Sequence, residues 1–445
     1  MEIIRRNKQY FLIILVLIAT FAFIQMKFKL FYGSNNIGIG LIGTFQEHDL
    51  PLEVVRLVSS GLISMDEAGR VKPNLVSGWE TNNDATEFKF KLKDDLKWAD
   101  GGKIVSQDLE FSIPDVEVTY PNEKEILFKL KDSYSPFPTL LTKPVLKKGT
   151  LLGLGPYKIS KVEKSRIFIT KIILTPNDPK LPVIYIRFYP SEKTALTGFS
   201  LGEVQALLGI NNIKYFSNNP VVLVKQKTDY SKIVTALFSV KDSLLSNRSL
   251  RQALSFISPK VDKEEVADNP FPPNSWGYDK SAKKYLNNPD EAKSALERAQ
   301  SNLPADKMHA EIILTSTPNL EEVGKQVTAA WKSLGFDVKL RVESGIPQNF
   351  QALLITQSIP LDPDQYFLWH ATQTKTNLSG LDSKRVDKDL EDGRKITPEQ
   401  DRKAKYYDFQ KALLEEAPAI FLYFPKYNIV YLKKSEGLLN KILSL

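Results

Sequence analysis

Between residues 88 and 93 the chain alternates without a break, Phe88, Phe90 and Leu92 against Lys89, Lys91 and Lys93. A period of two puts three apolar side chains on one sheet face and three ammonium groups in water, so the segment predicts a half-buried strand. Turn chemistry brackets it, with Asn82-Asn83-Asp84 before and residues 97–102 after. Ser106 is placed to cap a short helix whose first turn carries Asp108. Upstream, residues 37–42 predict a strand, and Leu52, Val55 and Val58 are spaced as one face of a helix. Residues 116–120 and 126–130 alternate around Pro121-Asn122 and predict a hairpin. A second hairpin is predicted from residues 157–162 and 167–174, followed by a strand through Ile184, Ile186 and Phe188 and a helix capped by Ser191. Residues 221–224 and 233–240 predict two more strands.

From about residue 246 the apolar period lengthens to that of a helix. Residues 248–256 form one helical segment, and Asn288-Pro289 with Glu291 makes a capping box for the next. Residues 310–314, 320–334 and 336–342 read as strand, helix, strand, with Asn319 as the cap and Leu320, Val323, Val327, Ala330 and Leu334 as the apolar helix face. That βαβ unit calls for parallel strands joined by a right-handed crossover. Thr397-Pro398-Glu399-Gln400 opens a long helix, with a capping box and proline at its first position, that runs to about residue 416, where Pro418 stops it. Residues 419–424 and 427–432 close the chain with two strands.

A chain of 445 residues exceeds one compact core, so two or three lobes are expected. The 42% apolar and 25% charged fractions are those of a globular protein. Arg5, Arg6, Lys8, Lys27 and Lys29 against Glu2 place +4 of the net +8 within residues 1–30. The small remainder alternates in sign, which argues against a nucleic-acid partner. Residues 10–24 are apolar apart from Thr20, and the character resumes at Phe28, Leu30 and Phe31. A spanning helix needs about 20 residues, and the stronger basic cluster precedes the run. The expected arrangement is a cytoplasmic tail at 1–9, a transmembrane signal anchor at 10–31 and an extracytoplasmic body. A cleaved signal peptide is the alternative, although no small-x-small site follows the run. With no cysteine the fold rests on its core alone.

The local signals also fall in a fixed order. Gly61-Leu62, an acidic turn, Pro73-Asn74-Leu75-Val76, Trp79, the alternating strand, Trp98-Ala99-Asp100-Gly101 and then Asp108 occupy the early part. Gly153-Leu154-Gly155-Pro156-Tyr157, Gly202-Glu203, Arg251-Gln252-Ala253-Leu254 and the Asn288 helix follow. Asp362-Pro363-Asp364, Asn377-Leu378-Ser379-Gly380, Val386-Asp387 and Ala417-Pro418 complete the series. This order resembles the solute-binding proteins that serve peptide- and nickel-class ABC importers, over roughly residues 37 to 435. The resemblance implies an α/β, two-lobed periplasmic-binding-protein-like fold with mixed sheets. It also implies a first lobe at 36–240 that includes a small subdomain at about 50–148, a second lobe at 241–424, and a return to the first lobe at 425–445. The family's longer helical stretch after the position of Phe111 is missing, so the extra subdomain is expected to be trimmed.

Catalytic chemistry is not legible. Gly38, Gly40 and Gly43 fit the dinucleotide fingerprint, but no strand precedes them and no helix opens at the third glycine, so a glycine-rich strand is the better reading. His48, His309 and His370 are scattered, no cysteine is present, and neither a metal nor a cofactor is expected. No G-x-S-x-G elbow occurs, and an enzyme is not expected. In peptide-binding members of the family, an aspartate three residues before the acid of the acid-proline pair holds the peptide ammonium, and a tryptophan lies three residues further back. Here Ile359 and Thr356 stand at those positions, with Asp364 as a substitute acid. Trp369, His370, Gln373 and Asn377 are the other candidate cleft residues, plain core packing being the alternative for Trp369. The resemblance implies capture of a peptide-like small solute by hinge closure and delivery to ABC permease subunits. The alternative is an anchored signalling or scaffold ectodomain that keeps the fold without transport.

Overall fold

The computed structural model describes residues 35–285, 287–304 and 310–444. The apolar run at 10–31, its basic flanks and His309 lie outside the described residues. Among the described residues no helix is long and apolar enough to cross a membrane.

A seven-stranded mixed sheet organises the first lobe. Its order is Val222–Thr228, Lys426–Leu432, Ala206–Leu208, Asn36–Ile42, Val183–Tyr189, Phe168–Pro176 and Tyr157–Ser165. Asn36–Ile42 sits at the centre and runs parallel to both of its neighbours. The glycine spacing noted in the sequence falls along this strand. A Cβ at Gly38 would lie 2.8 Å from Gln205 Oε1, and one at Gly40 would lie 2.6 Å from Leu207 Cδ2. These glycines therefore allow close strand and side-chain packing, not a phosphate cradle. Ser191 caps the helix Glu192–Ser200 by accepting from the Thr194 amide.

The alternating segment becomes Glu87–Leu92, second in a four-stranded sheet with Val76–Thr81, Glu125–Leu130 and Val116–Asn122. Phe88, Phe90 and Leu92 are buried, and the residues between them are exposed, as the period requires. Two local expectations fail here. Ser106–Asp108 is a single 3-10 turn, and Asp108 supplies the acceptor, taking bonds from Trp98 Nε1 at 3.2 Å and the Val105 amide at 3.3 Å. Ser106 is drawn away by a bond to the Asn122 carbonyl at 2.6 Å. In the helix Leu52–Val58, Val54 and Val58 are buried while Leu52 is exposed, so the apolar face is rotated from the spacing expected.

The second lobe holds a six-stranded sheet ordered Glu265–Val266, Ala419–Phe424, Lys232–Phe238, Ala352–Ser358, Ile312–Ser316 and Val338–Val342. Ile312–Ser316 and Val338–Val342 are parallel, as the βαβ reading requires. The helices Arg248–Phe256, Pro289–Gln300 and Glu321–Lys332 contribute to one core, and Lys384–Lys395 and Glu399–Glu416 to the other. Asn247 and Asn288 cap the first two through the amides of Leu250 and Glu291. Neither Asn319 nor Thr397 caps its helix: Leu320 and Pro398 occupy those positions without a side-chain bond.

The boundary between the lobes also moves. The strand Lys232–Phe238, grouped by position with the first lobe, pairs with Ala352–Ser358 and Ala419–Phe424 in the second sheet. Alternation marks a strand but does not say which sheet receives it. The chain crosses instead at residues 229–231, where Asp229 Oδ1 accepts from the Ser231 amide in a tight Asx turn.

Candidate ligand cleft

Two crossings join the lobes, one at residues 229–231 and one at Pro425. The Asp229 amide donates to the Pro425 carbonyl at 2.8 Å, and the Ile359 amide donates to Ser231 at 2.8 Å, so the crossings are tied to each other and to the end of a second-lobe strand. Tyr230 projects from this junction. Its hydroxyl donates to Glu265 Oε1 at 2.5 Å, and its ring meets Phe424 edge-on. Burial, then the Glu265 bond and the charge of Glu67, push this phenol up to about 12. Tyr427 follows the second crossing, and burial raises its pKa further, helped by Glu53 and Asp229. Four carboxylates, Glu53, Glu67, Asp229 and Glu265, thus act on two tyrosines. At another point between the lobes, Glu322 is held below the ordinary carboxylate value chiefly by its bond to Lys325, and Lys214 of the first lobe adds to that effect.

Five of the six candidate residues come together on and around the short helix Tyr366–Trp369 and the loop that follows it, and most of their polar atoms are already engaged. Asp364 is buried, pairs with Arg394 at 3.1 Å and accepts from the Tyr366 amide at 3.2 Å. Burial raises its pKa despite Arg394. Its contribution to stability is therefore greatest below the ordinary carboxylate value and is lost as pH rises through the raised one. Arg394 lies over the Tyr366 ring at 4.2 Å, and Tyr366 stacks on His370 with centroids 4.0 Å apart. The His370 ring nitrogens face Thr372 at 2.8 Å and Glu391 at 3.1 Å. Trp369 packs in the core against Phe421 and donates to Gln365 Oε1 at 2.8 Å. Gln373 is half-buried and bonds Thr372 at 3.2 Å. Thr356 stands apart on the strand Ala352–Ser358, half-buried and opposite Val234, while Ile359 is buried.

Asn377 shapes the loop itself. Its amide nitrogen donates to the carbonyls of Trp369, His370 and Leu381, and its oxygen accepts from Ser379 Oγ at 2.9 Å and the Leu381 amide at 3.3 Å. Asn377→Ala strands these buried groups and is expected to cost about 1–3 kcal/mol, read as a lower urea midpoint at unchanged m.

The small subdomain closes against the second lobe along a seam that the sequence did not reveal. Gly69, at φ +85°, turns the chain so closely over Leu361 that a Cβ would stand 2.1 Å from the Leu361 carbonyl oxygen. The Trp276 amide donates to Ala68, the Ser135 amide to Arg394, and Arg70 Nε to Glu399 Oε1 at 3.0 Å. Beneath the seam Arg402 grips Asp362 with two bonds, at 2.9 and 3.3 Å. Gly69→Ala adds about 1–2 kcal/mol of left-handed strain and a clash besides. Hydrogen exchange at the Trp276 and Ser135 amides should quicken; unchanged protection would mean that the turn does not hold the seam.

The geometry agrees with the comparisons. The family model described as "Bacterial extracellular solute-binding proteins, family 5 Middle" matches residues 70–378. The oligopeptide-binding protein AppA of Bacillus subtilis is 24% identical over 88% of this chain and 85% of its own length. The nickel-binding periplasmic protein of Escherichia coli is 22% identical over 81% of this chain and 82% of its own. Among solved structures, the ABC transporter substrate binding protein CtaP of Listeria monocytogenes is similar with a TM-score of 0.73 at 16% identity, covering 89% of this chain and 94% of that one. NikZ of Campylobacter jejuni, in complex with Ni(L-His), gives 0.69 at 23% identity with the same coverages. At such identities the structural likeness is one of fold, and here it is the two-lobed binding-protein fold. The family match spans well over half of the sequence, and the chain belongs to the bacterial extracellular solute-binding proteins of family 5.

Proposed function

We propose that the chain is the substrate-binding component of an ABC importer, capturing a peptide-like solute outside the membrane and passing it to permease subunits. The observation that carries this reading is the pair of short crossings tied at Asp229, Pro425 and Ser231, the arrangement from which two lobes close as a hinge. Relatives named for oligopeptides and dipeptides support the peptide class, among them AppA and the dipeptide-binding protein of Escherichia coli. Residues 10–31 hold the body at the outer face of the membrane. The protein binds and releases, without catalysis.

The ammonium-holding aspartate of peptide-binding relatives is Ile359 here, and Asp364 is committed to Arg394. The solute's cationic end is therefore directed to Glu53, Glu67 and Glu265 about the crossings, Asp229 being paired with Lys232, and these carboxylates favour a positive charge. Of the six candidate positions, Thr356 and Gln373 retain the exposure needed to meet the solute. Native mass spectrometry of the full chain purified in detergent should find a co-purifying peptide, and pooled peptides should raise the melting temperature. If native extracts and extended peptide libraries both leave it unmoved, the capture reading fails.

A further inference from the structure

A cavity of about 150 Å³ lies on the seam between the small subdomain and the second lobe. Its walls are aromatic, from Trp79, Phe88 and Trp276, and its charged lining groups are two arginines and two carboxylates. The carboxylates are already paired, Asp362 with Arg402 and Glu399 with Arg70. Several lining groups have nothing to bond. Trp276 is 5% exposed, and its indole N–H has no acceptor among the described residues. The Ser135 hydroxyl is buried without a partner. Arg70 uses only its Nε, leaving the terminal nitrogens of its guanidinium unbonded to the described residues. Buried polar groups are nearly always paired, and the Ser135 hydroxyl is the buried one here without a partner; with the Trp276 indole N–H and the free guanidinium edge of the 41% exposed Arg70 lining the same cavity, it points to an acceptor there.

We infer that this cavity binds a small organic carboxylate with an apolar body. The guanidinium edge of Arg70 suits a carboxylate better than a neutral acceptor, because charge-assisted bonds are the stronger ones. An ammonium is disfavoured, since it would have to draw Asp362 and Glu399 away from their arginines. The size follows from the volume: a cavity of about 150 Å³ takes a guest of about six carbon atoms. The aromatic walls supply the apolar contact. Because the cavity joins two bodies, its occupant bonds groups on both and holds the seam closed. This site does not depend on the identity of the transported solute.

Isothermal titration of the full chain with butyrate, butyramide and butylamine tests it. Butyrate is expected to bind at least about tenfold more tightly than butyramide, and butylamine to give no heat. Trp276→Phe keeps the ring and removes the donor, and Arg70→Gln removes the charge. Each should weaken butyrate about tenfold; with no ligand added, Arg70→Gln should keep the wild-type melting curve, and Trp276→Phe, in the core, should keep a single cooperative transition at a somewhat lower midpoint. If a variant loses its melting curve, the comparison of butyrate with butyramide on the wild-type chain decides alone. Equal binding of the acid and the amide, no heat from butyrate at millimolar concentration, or full butyrate affinity in folded variants would each overturn the inference.

Discussion

Arg402→Ala is expected to lower the stability of the second lobe by about 3–5 kcal/mol, the usual cost of removing one partner from a buried ion pair. Arg402 is 8% exposed and Asp362 6%, so neither charge can fall back on water. The guanidinium also donates to the Gly393 carbonyl at 3.0 Å and the Tyr406 hydroxyl at 3.2 Å, and lies over the Trp276 ring at 5.1 Å. Removing it strands a carboxylate, a carbonyl and a phenol together. The pair itself is a weaker stabiliser than this loss suggests, because both ions were desolvated to form it. Accordingly Arg402→Met combined with Asp362→Leu should recover most of what Arg402→Ala loses. Urea midpoints of the two single variants and the double variant separate these terms. A single-variant loss below about 1 kcal/mol would place the pair among the solvent-screened kind.

Trp331→Ala should be comparably damaging, at about 3–5 kcal/mol. The indole is fully buried, stacks on Phe238 with centroids 5.7 Å apart, and donates to the Leu254 carbonyl at 3.2 Å. It thereby joins the helix Glu321–Lys332 to a central strand and to the helix Arg248–Phe256. Alanine leaves a large cavity and an unpaired carbonyl, whereas Trp331→Phe keeps most of the volume and should lose clearly less. If alanine and phenylalanine lower the thermal midpoint equally, the indole N–H and not its bulk is what matters there.

Trp331 also illustrates how far the sequence could be read. The helix and its βαβ setting follow from spacing, as does most of its buried face. Yet Trp331 lies on that face while Ala330, nominally on it, is only half-buried, because a helical period locates a stripe to within about one residue. The sheet face of Phe88, Phe90 and Leu92 was fully legible, since a period of two leaves no such latitude. Caps proved less secure. Asn288 caps as read, whereas Thr397 and Asn319 do not, and Ser106 bonds across to Asn122 instead.

The candidate site was legible only as a neighbourhood. Asp364, Trp369, His370 and Asn377 do gather, but their polar atoms serve Arg394, Gln365, Glu391 and backbone carbonyls. The junction of Glu53, Glu67, Asp229 and Glu265, and the seam around Gly69 and Trp276, unite residues far apart in the chain. No spacing rule reaches across such distances. One local signal was available, the Asp229-Tyr230-Ser231 turn between two strands, which marks where a chain can change sheets.

Uptake of a solute by closure of the two lobes is directly measurable, because the chain has no native cysteine. Spin labels at Lys214→Cys and Glu322→Cys report the separation of the lobes by pulsed electron resonance. A peptide pool that raises the melting temperature should also shift the distance distribution to its shorter component, with half-saturation at the same concentration. A peptide that binds while leaving this distribution unchanged would contradict uptake by closure.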